Sequence, residues 1–294
     1  MHVEVNGVRL WFDVDGLSLV TDGPGMKERP TVVLVHGGPG GFDHSYFKPD
    51  FHRLTGIAQV IYLDLRGHGR SDRTDPEYWD LAGAGDDLRG FCDVLGVTSP
   101  VVLGHSFGGP VVASYGSRHP GHASALVLQS TFARFDLTRV VEDFRRLGGE
   151  KTAEIVRRSY SDDPSVSADE WALAWRLFGD WVPGDAERSR VQRNEELAAV
   201  GGKLLQSIDV LEELSAIDCP TLVSVGELDP ITPVAVAGEM VEAMKPGVAQ
   251  LCVIENAGHF PWRDAPDRYW PALEEFVTSA SEPASDLFRG PGRT

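Results

Sequence analysis

Cysteine is scarce in this 294-residue sequence, and long hydrophobic runs are missing. The three cysteines cannot form a disulfide framework, and none has the short spacing of a zinc knuckle or a redox pair, so we expect reduced, buried thiols. No apolar segment approaches the length that crosses a bilayer, and the N-terminus lacks a basic region followed by an apolar stretch. We therefore expect a cytoplasmic protein with no membrane partner.

Positive charge is also in short supply. The chain has 27 Lys and Arg residues against 44 Asp and Glu, which gives a formal net charge of −17. Such a surface repels phosphate backbones, so a nucleic-acid partner is not expected either. The chain is 42% hydrophobic and 24% charged, which indicates a folded, enzyme-sized protein rather than a disordered one. Composition leaves the oligomeric state open.

The sequence does contain a series of short apolar runs rich in β-branched residues. They have the pattern of strands that are covered on both faces in a parallel sheet. The six runs are Thr31–His36, Gln59–Asp64, Pro100–Leu103, Ala125–Leu128, Pro220–Val225 and Gln250–Ile254. Near the N-terminus, Val3–Val5 and Val8–Asp13 flank an Asn-Gly dipeptide, which favours a tight hairpin and hence an antiparallel edge.

Helical periodicity lies between most of these strands, at Asp86–Leu95, Gly108–His119 and Pro233–Met244. Because strand and helix alternate, the connections should be right-handed crossovers. The predicted fold class is therefore α/β, with a doubly wound, mostly parallel sheet.

The segment Phe132–Ile208 interrupts this order. It has no strand-like run, is rich in charge, and includes Trp171, Trp175, Phe178 and Trp181. We predict that residues 132–208 form a helical cap on a core made of residues 1–131 and 209–280. The tail, 281–294, is rich in Ser, Pro, Gly and charge and is predicted to be flexible.

A serine stands directly after one of the predicted strands, in the sequence GHSFG at 104–108. This matches G-x-S-x-G, in which the serine occupies a strained strand-to-helix turn and the glycines leave room for that turn. A buried strand precedes the motif and an amphipathic helix follows it, as the motif requires. The pattern predicts Ser106 as a nucleophile, with a structural Ser-Gly turn as the alternative.

A serine nucleophile needs a base and an orienting carboxylate, and both have candidates at later strand ends. Asp229 and His259 each follow a predicted strand in the last third of the chain. The carboxyl ends of parallel strands share one edge, so Ser106, Asp229 and His259 are predicted to form a catalytic triad. Two alternatives concern the acid: Glu227 could take its place, and Asp229 could only cap the helix that begins near Thr232.

A second glycine-rich stretch, HGGPGG at 36–41, follows the first predicted parallel strand. It lacks the Lys-Ser/Thr pair of a phosphate loop, and Pro39 removes an amide that such a loop would use. Because Gly38 has no side chain to block a substrate carbonyl, its amide and that of Phe107 are predicted to form an oxyanion hole. The nine histidines show no HExxH-like spacing, so neither a metal nor another cofactor is expected.

These motifs resemble the α/β-hydrolase fold superfamily and, within it, the proline iminopeptidase-like branch. The markers are HGGPG at 36–40, DLRGHGRS at 64–71, GHSFGG at 104–109, GELDPITP at 226–233 and AGH at 257–259. The resemblance runs from His2 to about Thr278 and implies the same cap, the same triad and the same oxyanion donors. Iminopeptidases commonly have Gln where this chain has Leu65 and Trp where it has Phe107, a difference that concerns the peptidase activity and not the fold.

The resemblance implies a cofactor-independent serine hydrolase that works through an acyl-enzyme and removes an N-terminal residue from a small peptide or amide. A carboxylesterase or lactonase with the same triad is the alternative, because many such enzymes share DLRGHGRSD and GHSFGG. A ligand receptor that has lost turnover is an alternative of another class.

Three further residues are candidates for substrate binding. Iminopeptidase-like enzymes bind the free amine of the substrate with cap carboxylates, and Glu195 is a possible counterpart. A solvated helix face is the other interpretation of Glu195. Trp175 and Trp262 are expected either to line the pocket or to pack in the hydrophobic core.

Overall fold

The chain is built around one large sheet. In the computed structural model, which describes residues 1–75, 79–161, 166–178 and 190–280, there are ten strands. They are β1 (His2–Val5), β2 (Val8–Asp15), β3 (Leu19–Asp22), β4 (Gly25–Glu28), β5 (Thr31–Val35), β6 (Gln59–Leu63), β7 (Val101–His105), β8 (Ala125–Gln129), β9 (Thr221–Gly226) and β10 (Ala249–Ile254). Eight of them form one sheet in the order β1-β2-β6-β5-β7-β8-β9-β10, and β3 pairs with β4 alone.

The large sheet is parallel except at its N-terminal edge. Every neighbouring pair from β6 to β10 in this order is parallel, whereas β2 runs antiparallel to both β1 and β6. The β1–β2 hairpin turns at Asn6 (φ 48°) and Gly7 (φ 79°), the left-handed values that a tight two-residue turn requires. The predicted α/β fold with a mostly parallel sheet is confirmed.

Ten α-helices lie within the described ranges. They are α1 (Lys48–Phe51), α2 (Leu81–Leu95), α3 (Gly108–Arg118), α4 (Leu137–Gly148), α5 (Glu150–Ser159), α6 (Ala168–Trp175), α7 (Glu195–Gln206), α8 (Val234–Ala243), α9 (Pro261–Asp264) and α10 (Pro266–Ser279). Helix α2 begins earlier than the predicted Asp86 because Asp80 caps it, accepting a hydrogen bond from the Gly83 amide. It ends where Gly96 takes a left-handed conformation, with φ 70°.

The segment predicted as a cap contains α4 to α7. Within its described residues the secondary structure is helical, apart from one isolated bridge between Arg134 and Asp209. A capping box at Ser167 and Glu170 starts α6. Trp181 and the tail 281–294 lie outside the described residues. No helix in the described part of the chain is long and apolar enough to cross a membrane.

Two features of the strands differ from the sequence-based expectation. The prediction that all six apolar strands are covered on both faces is wrong for β10, which lies at the sheet edge with Leu251 42% and Val253 38% exposed. The β3–β4 hairpin was not predicted, because its strands are almost entirely exposed and carry no apolar alternation.

The functional edge of the sheet is formed by the carboxyl ends of its parallel strands. The loops after β5, β7, β9 and β10 begin with His36, Ser106, Glu227 and Glu255. All of β7, β8 and β9 is buried, so the loops after β7 and β9 start from a closely packed part of the sheet. The sequence-predicted nucleophile, acid, base and oxyanion loop consequently meet at one edge.

Candidate active site

Ser106 occupies a strained turn between β7 and α3. Its φ is 54°, a left-handed value that is uncommon for a residue with a side chain. A Cβ on Gly104 would lie 2.4 Å from the Gly108 carbonyl oxygen, and one on Gly108 would lie 2.4 Å from the Val35 oxygen. Larger residues at these two positions would not fit. The G-x-S-x-G spacing therefore has a steric origin in this fold.

The strained turn is held by hydrogen bonds to the Ser106 backbone. The Ser106 amide donates to the Gln129 carbonyl at 3.0 Å, and the Ser106 carbonyl accepts from the Gly109 amide at 2.9 Å. The Thr131 hydroxyl also donates to the Ser106 carbonyl, at 2.5 Å. The Ser106 residue is half-buried, so the turn projects its side chain toward the surface of the sheet edge.

Asp229 and His259 form a buried pair. His259 Nδ1 lies 2.8 Å from Asp229 Oδ2, and the two residues are 4% and 1% exposed. Because a carboxylate can only accept, Nδ1 carries a proton, and in the neutral form of the ring Nε2 then has the lone pair. A neutral histidine in this tautomer is equipped to accept a proton from a hydroxyl.

The loop after β9 keeps the Asp229 carboxylate ionised. Burial alone would raise the pKa of Asp229, but the charge and hydrogen bond of His259 and the donors of Thr232 outweigh it, so the pKa lies below its usual value. The Ile231 and Thr232 amides donate to Oδ1 at 2.9 and 3.1 Å, and the Thr232 hydroxyl donates to Oδ2 at 2.6 Å. Asp229 therefore both organises its own loop and orients His259.

Of the two acids considered from the sequence, the structure brings Asp229 to His259 and leaves Glu227 elsewhere. Glu227 is exposed, and its carboxylate accepts from the Asn256 amide at 3.0 Å. The loops after β9 and β10 can approach each other because Gly226 has no side chain. A Cβ at this position would lie only 2.1 Å from the Gly258 oxygen. The absence of a side chain at Gly226 therefore lets the loop that carries Asp229 lie close to the loop that carries His259.

The predicted oxyanion loop packs directly on the nucleophile turn. A Cβ on Gly37 would lie 3.0 Å from the Ser106 Cβ. Gly38 has φ 92°, and a side chain there would meet Phe42 at 3.1 Å, so this position requires glycine. Phe107 precedes the first residue of α3, where amides have no intrahelical acceptor.

The rest of the HGGPGG stretch contacts the cap. A Cβ on Gly40 would lie 2.4 Å from the Ala198 amide nitrogen of α7, and the Gly40 carbonyl accepts from the Asn194 amide at 2.8 Å. The Asn194 side chain also donates to the Gly67 carbonyl at 2.8 Å. Glycine at position 40 therefore allows the start of α7 to dock on the core, a role that its sequence pattern did not reveal.

Aromatic side chains from the core and the cap meet beside His259. The Trp175 ring of α6 stacks on Phe42, with ring centroids 6.1 Å apart, and lies 6.2 Å from the Phe260 ring. Phe42 follows the HGGPGG stretch, and Phe260 follows His259. Trp175 therefore packs on residues that follow the HGGPGG stretch and His259, and neither Phe42 nor Phe260 carried a recognisable signal in the sequence.

The other two predicted substrate contacts lie elsewhere. Trp262 is 2% exposed and packs edge-on against Phe51 (5.2 Å) and His105 (4.9 Å), which is core packing beneath the site. The Glu195 side chain is 76% exposed and pairs with Arg193 at 3.0 Å. Of the two interpretations of Glu195, its position fits the solvated helix face.

One buried group of possible metal ligands, Asp43, His44 and Asp64, occurs among the described residues. Asp64 Oδ1 accepts from the His44 amide (2.9 Å) and lies 2.7 Å from its Nδ1, and Asp64 Oδ2 accepts from the Arg70 amide at 2.9 Å. Asp43 accepts from the amides of Ser45 and of Gln192 in the cap. These carboxylates are already used to anchor loops around the site.

Comparison with known proteins points in the same direction. A family model described as alpha/beta hydrolase fold matches residues 30–266. RutD of Caulobacter sp. (strain K31) is 27% identical over 279 residues, covering 90% of this chain and 97% of its own. A proline iminopeptidase of Saccharolobus solfataricus is 27% identical over 266 residues, covering 84% of each chain. A solved thermophilic esterase from Thermogutta terrifontis superposes with a TM-score of 0.68 at 25% identity, covering 96% of this chain and 100% of its own.

Proposed function

The chain belongs to the alpha/beta hydrolase fold family, and we propose that within this family it is a cofactor-independent serine hydrolase with a Ser106–His259–Asp229 triad. One observation carries the proposal. A serine with a left-handed backbone and a buried Asp–His pair 2.8 Å apart occupy the same edge of one parallel sheet. A structural Ser-Gly turn would not require a buried, oriented imidazole at the same edge of the sheet.

In the proposed first half-reaction, His259 Nε2 accepts the Ser106 hydroxyl proton while Ser106 Oγ attacks the substrate carbonyl carbon. The carbonyl oxygen becomes negative and is stabilised by the amides of Gly38 and Phe107. The protonated His259 is stabilised by the Asp229 carboxylate and then donates its proton to the leaving group. An acyl-enzyme on Ser106 results.

In the second half-reaction, His259 deprotonates a water molecule, which attacks the acyl carbon. The tetrahedral intermediate uses the same two amides, and its collapse returns the proton to Ser106 and releases the carboxylic acid. Each step uses groups of this chain only, and water is the only co-reactant.

Labelling with a fluorophosphonate tests this mechanism. The native protein should react with one equivalent at Ser106, and Ser106→Ala should remain unlabelled with a similar melting temperature. A folded wild-type protein that does not label would instead favour the receptor, which binds a ligand without turnover.

For the substrate, we propose a small uncharged carboxylic ester or lactone with an apolar acyl group. The half-buried rings of Phe42 and Trp175 stack next to the buried ring of Phe260, the residue that follows His259. In the described part of residues 132–208 no carboxylate is buried, and the Glu195 side chain is 76% exposed. The described part of this segment provides apolar contact but no poorly hydrated anion for a substrate amine.

Iminopeptidase activity is the second candidate. It is favoured by the HGGPG sequence at 36–40 and by the similarity to proline iminopeptidases. Here the Gly40 contact with α7 offers a reason for the HGGPG sequence that does not depend on the substrate.

Parallel assays on a prolyl-arylamide, its N-acetylated form and a short p-nitrophenyl ester separate the two candidates. We expect turnover of the ester alone, and no difference between wild type and Glu195→Gln, with Glu196→Gln as the matched control. Cleavage of the free-amine arylamide, abolished by N-acetylation and weakened selectively by Glu195→Gln, would establish the iminopeptidase instead.

A further inference from the structure

A continuous chain of buried hydrogen bonds joins the oxyanion loop to the loop that carries the base. The Gly37 amide donates to the Tyr46 hydroxyl oxygen at 3.0 Å, and that oxygen lies 2.7 Å from His105 Nδ1. His105 Nε2 lies 3.1 Å from the His259 carbonyl oxygen. We propose that Tyr46 and His105 are positioning residues that hold the oxyanion loop and the base loop in register on either side of Ser106.

The direction of every hydrogen bond in this chain follows from its two ends. The His259 carbonyl can only accept, so His105 Nε2 must carry a proton and donate. Burial lowers the pKa of His105 well below its usual value, and His259 lowers it further, so the ring is neutral and Nδ1 accepts. The Tyr46 hydroxyl then donates to Nδ1 and accepts from the Gly37 amide. Each of these hydrogen bonds therefore has one donor and one acceptor.

The oxyanion end of this hydrogen-bond chain holds the peptide between His36 and Gly37, which directly precedes the peptide that carries the proposed Gly38 donor. The carbonyl of Gly37 accepts from His36 Nδ1 at 2.8 Å, and its amide is held by Tyr46. The Gly37 carbonyl and the Gly38 amide belong to one planar peptide group. Because glycine backbones reorient readily, both anchors are needed to keep the Gly38 amide directed at the site.

The base end of the chain fixes the backbone of His259. The His259 ring is oriented by Asp229 at Nδ1, but that contact alone leaves the backbone of its loop free to shift. His105 holds the carbonyl of the same residue, and the two imidazole rings are 4.9 Å apart. His105 is also the residue immediately before Ser106. Its side chain therefore links the Ser106 turn to the oxyanion loop, through Tyr46, and to the loop that carries His259.

Neither residue is needed for proton transfer in the proposed reaction. Tyr46 and His105 are 4% and 2% exposed, and the reaction uses only Ser106, His259, Asp229 and two amides. Their effect should therefore be on alignment, where displacement of a donor lowers the rate of the chemical step more than substrate binding.

This inference rests on the proposed function and is tested first by Tyr46→Phe, which keeps the ring and removes the hydroxyl. We expect kcat on a p-nitrophenyl ester, per site labelled by a fluorophosphonate, to fall about tenfold to a hundredfold, less than the loss of a whole oxyanion donor. KM should change less than about threefold.

The matched control is Tyr115→Phe. Tyr115 is another buried tyrosine whose hydroxyl is hydrogen-bonded to a histidine Nδ1, that of His122, at the far end of α3 from Ser106. The melting temperature should fall by a similar amount in both variants, and kcat should fall only in Tyr46→Phe. If Tyr46→Phe keeps wild-type kcat per labelled site, the positioning role is wrong.

Three variants of His105 test the two ends separately. In His105→Asn the side-chain oxygen can replace Nδ1 as acceptor from Tyr46, and in His105→Gln the amide nitrogen can replace Nε2 as donor to His259. Each should retain more kcat than His105→Leu. Equal kcat in all three would overturn the proposal, as would a wild-type protein that neither labels nor turns over, which would also overturn the triad.

Discussion

The edge of the sheet and the cap are organised by different forces. At the edge, the side chains of Asp229, His259, Tyr46 and His105 are buried and held by directed hydrogen bonds of 2.7 to 3.1 Å, one of which goes to the His259 backbone carbonyl. In the described part of the cap, the charged groups form exposed ion pairs, as in Arg145–Glu150 and Arg193–Glu195. Exposed pairs contribute little to stability. The edge is therefore built for fixed geometry, and the cap for apolar contact that tolerates change.

Histidine distribution sharpens this contrast. All nine histidines lie outside residues 132–208. His36, His68 and His105 are buried beneath the edge that carries the proposed triad, where burial lowers the pKa of each one. A fall in pH should therefore reduce the stability of the edge, because the unfolded chain binds protons that these buried rings do not.

The largest expected effect comes from breaking the Asp229–His259 pair. Asp229→Asn should lower kcat by about 10⁴-fold, the loss seen when a triad aspartate is replaced in a serine protease, because the imidazole is no longer held in the productive tautomer. Glu227→Gln is the matched control. Its side chain is exposed and contacts only the neighbouring loop, so kcat should change less than about threefold. The opposite ranking would transfer the acid role to Glu227.

A smaller effect is expected where the edge meets the cap. Gly40→Ala should destabilise the protein by about 2–4 kcal/mol in chemical denaturation, because a left-handed φ of 71° is combined with a contact 2.4 Å from the Ala198 nitrogen. Gly41→Ala is the control, since nothing lies within 4 Å of a Cβ there. Equal stability of the two variants would show that α7 can move away without cost.

The edge of the sheet and the cap also differ in how far the sequence predicts them. Ser106 is predictable because its strained turn needs glycines two residues away on either side, a local steric rule. Asp229 and His259 are predictable as candidates because each follows a strand at a common edge. The choice of Asp229 over Glu227 depends on the loop crossing at Gly226, and a crossing between distant loops has no local pattern.

The contacts of the cap with the core could not be predicted from the sequence for a related reason. The helical periodicity of α7 indicates a helix but does not say which side faces the core, so Glu195 could be assigned either to a pocket or to solvent. Phe42 and Phe260 contact Trp175 across more than 80 residues of sequence in each case, and such contacts are fixed only by the fold. The composition of β10 matches a buried strand, but β10 is exposed because it lies at the edge of the sheet, and its place in the sheet is likewise fixed only by the fold.

The next effect concerns acid stability and His68. Burial lowers the pKa of His68 from 6.5 to about 3. The unfolded chain then binds more protons between pH 6.5 and 3, so stability is fully present above pH 6.5 and is lost as pH falls through this window. This group alone should remove about 2 kcal/mol by pH 5.

His68→Asn should weaken that pH dependence. Its amide can still donate to the Arg66 carbonyl, as His68 Nδ1 does at 2.9 Å, but it has no proton to gain. Denaturation should show a smaller stability loss between pH 7 and pH 5 than in wild type. An unchanged slope would mean that His68 is not the group whose protonation unfolds the edge.

The smallest effect is expected from the cap itself. Trp175→Leu removes the ring that stacks on Phe42 and approaches Phe260, and should raise KM for an ester with an apolar acyl group about threefold to tenfold with kcat nearly unchanged. Apolar contact of this kind is shared by ground state and transition state, so its loss weakens binding uniformly. Trp171→Leu is the control, because Trp171 is half-buried on the same helix one turn earlier. A similar rise of KM in both variants would assign the effect to packing of α6, whereas a fall of kcat in Trp175→Leu would mean that the cap takes part in fixing the catalytic geometry after all.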